Sequence, residues 1–141
     1  MRLLPFEIRW MTCWFRTILP NAQDTAYPGA DTLPLDAFIR DYFAHTPPGS
    51  SIGIRLASVL LTLLLCLRKA RPLQRIARQE RAEFLARLST HKIYVLRELP
   101  MLLKLTAFLA WDAQDEVHRQ LGVIGPLGPP AQWLNTEDRH D

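Results

Sequence analysis

The sequence predicts an all-α protein, a single compact bundle of five to six helices followed by a Pro/Gly-rich C-terminal tail. Three observations lead there. Apolar residues recur at three- and four-residue spacing through successive stretches, Pro and Gly punctuate the chain between them, and no run alternates apolar with polar residues as paired strands do. With 141 residues, 48% of them hydrophobic, the chain is sized for one domain with a real core. The helical domain is placed at residues 1–122 and an extended or disordered tail at 123–141.

Residues 6–19 carry Phe6, Trp10, Cys13, Trp14 and Ile18 at helical spacing, and Pro20 stops that first helix. Residues 21–34 are rich in Pro, Gly, Asn and Asp and read as a loop. Asp36 then opens a short second helix whose apolar side holds Phe38, Ile39, Tyr42 and Phe43, and Pro47-Pro48-Gly49 closes it.

A third helix, with Ser50 or Ser51 as its N-cap, runs to about Lys69, whose charge suits the negative end of the helix dipole. Burying Leu56, Val59, Leu60, Leu63, Leu64 and Leu67 at about 1.5–3 kcal/mol each is expected to make this helix the organising element of the core. As a helix the apolar run 56–67 covers about 18 Å, short of a hydrocarbon core of about 30 Å, so it reads as a core helix. Contact with a membrane surface stays open as a second reading, because a helix apolar nearly all round must be covered by something.

Arg71-Pro72 breaks the chain before an amphipathic fourth helix over 76–89, with Ile76, Ala77, Phe84, Leu85 and Leu88 inward and Glu83 paired to Arg87. Residues 93–113 form the fifth, kinked or restarted at Pro100, and a short sixth over 115–121 is closed by Gly122. The repeated Gly-Pro steps beyond it exclude regular structure, with Trp133-Leu134 as an anchor in an otherwise polar tail.

The chemical inventory is empty. The four histidines never come within four residues of one another, and no metal-ligand spacing, nucleophile elbow or phosphate loop appears. Cys13 and Cys66 sit in apolar sequence and read as small buried hydrophobes. Asp36 with Asp41, and Asp112 with Asp115 and Glu116, are accounted for as caps and dipole partners. No catalytic, cofactor-binding or metal-ligating residue is therefore assigned, and the chain itself is not expected to be an enzyme.

The net charge of +3 comes from 17 Lys and Arg against 14 Asp and Glu. A basic surface is assigned to Arg68, Lys69, Arg71, Arg75 and Arg78, suited to lipid headgroups, phosphates or an acidic protein surface, or simply to a solvated helix face. No aromatic residue interleaves with these arginines before Phe84, so a nucleic-acid partner is not expected. Glu7 and Arg9 interrupt the stretch where a secretory peptide needs its apolar run. The expected location is therefore cytoplasmic or peripheral at the inner membrane.

Taken in order, Thr17-Ile18-Leu19-Pro20, Leu35-Asp36-Ala37-Phe38-Ile39, the Pro-Pro-Gly turn and the long leucine helix form a layout completed by Phe84, Leu88-Ser89, Arg97, Leu103-Lys104, Trp111-Asp112, Val117 and Leu121-Gly122. This layout resembles the small subunit of gluconate 2-dehydrogenase-like complexes, the subunit 3 family. It is similar as well to the helical segment that precedes the flavin domain in long-chain alcohol oxidases of the glucose–methanol–choline type. The chain differs in lacking a twin-arginine signal and in having Trp111 where a tyrosine is more usual. The resemblance implies a subunit without cofactor of its own that binds an FAD-carrying catalytic subunit, helping it fold, stay soluble or sit at the membrane. The residues expected to meet that partner are Trp10, Trp14, Phe38, Tyr42, Phe43, Phe108 and Trp111. The alternative is a small peripheral membrane protein anchored by the leucine helix and the basic stripe.

Overall fold

Proline marks where the first three helices begin. The computed structural model describes residues 3–23, 28–114 and 117, and it places Pro5 and Pro48 in the first turns of α1 (Pro5–Ile18) and α3 (Pro48–Lys69). A missing N–H costs nothing there and the fixed φ already suits the helix. Between them lies α2 (Leu35–His45), preceded by Pro34. A 3-10 turn (Leu73–Arg75), α4 (Arg78–Ser89) and α5 (Tyr94–Asp112) complete the described chain, which holds no strand and bears out the all-α expectation. The expected sixth helix apart from Val117, its Gly122 cap, the domain boundary and the tail with Trp133-Leu134 fall outside the described residues.

Two boundary expectations are corrected. Neither Ser50 nor Ser51 caps α3. Pro47 takes that position, and the Ser51 hydroxyl donates to the Pro48 carbonyl at 2.9 Å. Pro100 does not restart α5, which runs through it as one helix with Pro100 buried and the Leu96 carbonyl without its usual donor. The break after α3 falls as expected: Ala70 turns into the left-handed region at φ 51° and Pro72 blocks a return to helix.

The hub is α1, which packs against every other α-helix. Met11, Trp14, Phe15 and Leu19 are fully enclosed. Two cross-links tie α1 to α3: Glu7 pairs with Arg55, and Trp14 Nε1 donates to Thr62 Oγ1 at 2.9 Å. Both join residues 48 positions apart, so α1 and α3 run parallel and in step. From α4, Arg81 donates to the Thr17 hydroxyl at 2.8 Å and to the Leu73 and Ile76 carbonyls, and Arg78 donates to the Leu19 carbonyl at 2.7 Å. Arg78, assigned to the basic surface, is half-buried and holds α1 to α4. The expected Glu83–Arg87 pair does not form; Glu83 accepts from Gln79, and Glu80 pairs with Lys69 at 2.6 Å. That contact lowers the Glu80 pKa, first through the hydrogen bond from Lys69 and then through the Ala77 N–H and the charges of Lys69 and Arg71.

The loop before α2 is closed by Trp111, whose indole donates to the Pro28 carbonyl at 3.0 Å, and by Ala30, whose N–H donates to the Pro20 carbonyl at 2.9 Å. Between Pro28 and Ala30, Gly29 lies so close to the backbone of Asn21 and Ala22 that a Cβ would overlap both. Gly29→Ala is therefore expected to destabilise the fold by about 1–3 kcal/mol, the usual cost of overpacking, measurable as a shift of the urea midpoint at unchanged slope.

The largest correction concerns α3. Its buried residues are Ser51, Ile54, Ala57, Ser58, Leu61, Thr62 and Leu65, whereas Leu56, Leu60, Leu63, Leu64 and Leu67 are exposed and Val59 is half-buried. The helix packs by a side that mixes small and hydroxylated residues with Ile54, Leu61 and Leu65. Thr62 gives the Trp14 indole its acceptor, and the Thr62 hydroxyl donates its own hydrogen bond to the Ser58 carbonyl at 2.8 Å. A leucine at 62 would fill the space but orphan the indole N–H.

Candidate functional site: the leucine face and a basic cleft

While Ile54, Leu61, Leu65 and the small side chains of α3 turn inward, Ile52, Leu56, Leu60, Leu63, Leu64 and Leu67 stand outward, Leu67 with 79% of its surface free. Residues 52, 56, 60, 63 and 67 follow the four-four-three-four spacing of one helix face. Its neighbour α5 repeats the arrangement, burying Leu99, Leu103, Thr106, Ala107 and Ala110 and exposing Met101, Leu102, Leu105, Phe108 and Leu109. The two helices pack together, so large apolar side chains stand out along both members of one helix pair. Soluble monomers rarely leave contiguous apolar patches above a few hundred Å² uncovered. Covering a half-exposed leucine contributes on the order of 1 kcal/mol. Basic residues border the end of α3: Arg68, Lys69, Arg71 and Arg75 are exposed there, Lys69 engaged by Glu80.

The aromatic residues expected to meet a partner divide. Trp14 and Phe43 are enclosed, with 0% and 1% exposure, and belong to the core; they offer no surface, which corrects the expectation for these two. Trp10 packs edge-on against Phe6 at 4.9 Å, Phe38 stacks on Tyr42 at 5.5 Å, and Trp111 spends its indole N–H on the loop. These four are half-buried props of the fold. Phe108 alone of the seven stands well out, on the apolar face of α5. What the sequence reading missed is the leucine stripe. The signal was there in Ser51, Ser58 and Thr62, spaced at seven and four residues with Ala57 beside them, a small-residue seam of the kind that mediates close helix contact.

A second feature lies on the side of α1 turned away from α3. There a cleft of about 500 Å³ is lined by Arg9, Arg16, Arg40, Arg81, Asp36 and Thr12, with Pro5 and Ile8 as its apolar wall. Thr12 donates its hydroxyl to Asp36. Cys13 opens onto the same cleft; burial pushes its thiol pKa up, opposed by the charges of Arg81 and Arg16. Both cysteines are free thiols. Among the described residues no three His, Cys, Asp or Glu side chains come together. His91 Nδ1 accepts the Ile93 N–H at 3.1 Å and so serves the turn before α5.

By length and composition α3 is the one described helix long and apolar enough to cross a membrane, and it also meets the description of a core helix in a soluble protein. Its 22 residues span about 33 Å, more than the 56–67 run suggested, because the helix begins at Pro48 and holds its internal Arg55 paired to Glu7. No family model, no curated protein and no solved structure matches this chain.

Proposed function

We propose that the chain is a non-catalytic helical subunit that covers its α3/α5 face with a large FAD-dependent oxidoreductase of the glucose–methanol–choline type, stabilising or chaperoning it. The observation carrying this reading is the number of large apolar side chains that α3 and α5 leave exposed, Leu56, Leu60, Leu63, Leu67, Leu105 and Phe108 among them, beyond those such as Leu61, Leu65 and Leu103 that they bury; so much exposed apolar surface calls for a cover. The kind of cover rests on the helix order and the Leu103-Lys104, Trp111-Asp112 and Val117 positions, which resemble the gluconate 2-dehydrogenase subunit 3 family. FAD belongs to the partner in this reading.

The test is a double substitution on the face, Leu60→Lys with Leu105→Lys. Both side chains are about half exposed, so the fold is expected to keep its stability to within about 0.5 kcal/mol. Two lysines forced into an apolar interface should weaken partner binding by at least about a hundredfold. Retention of the partner by the doubly charged chain would overturn the reading.

One observation favours a second occupant. A stripe of Ser, Ala and Thr facing a helix neighbour with leucines facing out is also how helices pack in lipid, and the α3 C-terminus carries Arg68 and Lys69 at headgroup level in such a pose. Under that reading the chain sediments with membranes in cells lacking the partner, and the lysine pair releases it.

A further inference from the structure

The cleft beside α1 holds more positive charge than the fold uses. Arg9 and Arg16, seven residues apart, share one face of α1; Arg40 enters from α2 and Arg81 from α4. Against these four cations stands a single carboxylate, Asp36, already accepting the Thr12 hydroxyl. Among the described residues no carboxylate comes within ion-pair distance of Arg9, Arg16 or Arg40. Arg81 is fixed by its three bonds to Thr17, Leu73 and Ile76, a preset charge at the inner end. Guanidinium groups stay ionised at any physiological pH, so the cleft keeps a concentration of positive charge that a bound anion would neutralise.

We propose that this cleft binds a small soluble phosphate-bearing ligand, its phosphate oxygens held by Arg9, Arg16 and Arg40. Planar guanidinium forks match phosphate oxygens two at a time, which a scatter of lysines does not. Asp36 accepts from a ligand hydroxyl, and Pro5 with Ile8 covers its less polar part. A space of about 500 Å³ suits a sugar phosphate or a nucleotide. The ligand comes from solution: Arg9, Thr12 and Arg16 lie on the face of α1 opposite to Glu7 and Trp14, which meet α3, so a cover on the α3 side leaves the cleft free. This site is independent of the identity of that cover.

Calorimetric titration of the full chain, in mild detergent at low salt, with inorganic pyrophosphate tests the proposal. The expected result is saturable one-to-one binding that also slows alkylation of Cys13, which lines the cleft. The Arg16→Ala, Arg40→Ala double variant should bind at least about tenfold more weakly. The Arg71→Ala, Arg75→Ala variant removes the same charge from exposed positions outside the cleft and should stay within about twofold of the parent. All four arginines are exposed, so both variants are expected to fold, as circular dichroism will check. Absence of saturable binding by the parent overturns the proposal. Equal weakening by the two variants does so too, since binding would then follow overall charge and not the cleft.

Discussion

Trp14→Ala is expected to cost about 3–5 kcal/mol of folding free energy, a large part of the 5–15 kcal/mol that holds a domain of this size. Trp14 is fully enclosed at the middle of α1, where its ring stacks near Phe84 of α4 at 6.4 Å and its indole N–H reaches Thr62 of α3. Its removal opens a cavity at the junction of three helices and takes away one of the two bonds that keep α1 and α3 in step. Trp14→Phe separates the two effects. Most of the ring volume stays, and Thr62 keeps the Ser58 carbonyl as acceptor for its own proton, so the cost should fall to about 1–2 kcal/mol. Urea unfolding of the two variants gives both numbers, and near-equal losses would show that packing is not what Trp14 contributes.

Glu7→Ala should cost about 3 kcal/mol. The carboxylate is 3% exposed, pairs with Arg55 inside an otherwise apolar helix, and accepts the Leu4 N–H at 2.8 Å, so it both starts α1 and neutralises the one charge within the body of α3. Removing one member of a buried pair strands the other; because about a quarter of the Arg55 side chain reaches solvent, the low end of the usual 3–5 kcal/mol applies. Arg55→Met in the same chain should recover most of the loss, since an apolar side chain of similar length needs no partner. A double variant as unstable as the sum of the two single ones would mean that the groups act separately.

Much of the fold was legible in the chain. Pro20, the Pro47-Pro48 pair and Arg71-Pro72 mark helix limits because proline removes a donor and fixes φ, whereas Pro100 is carried inside α5, where it is buried. Which way α3 faces was not legible from hydrophobicity, since leucine occurs all round it and periodicity has no contrast to report. The orientation is decided by the partner helix: Trp14 on α1 needs an acceptor, and only the Thr62 side of α3 supplies one. The aromatic residues misled for the same reason. Trp14 and Phe43 are large and apolar like an interface anchor, but only the bundle shows that their helix faces point inward. The cleft arginines were scattered over 9, 16, 40 and 81, and nothing short of the packing of α1, α2 and α4 brings them to one place.

The proposal is that the apolar side chains exposed on α3 and α5, Leu56, Leu60, Leu63, Leu105 and Phe108 among them, are covered by a flavoprotein subunit. The most direct test is purification of the tagged chain in mild detergent with a visible absorption spectrum of the eluate. The account predicts a large co-purifying polypeptide and a flavin spectrum, both lost when Leu60 and Leu105 become lysine. A colourless eluate holding the chain alone, or a yellow complex that survives the two lysines, would contradict it.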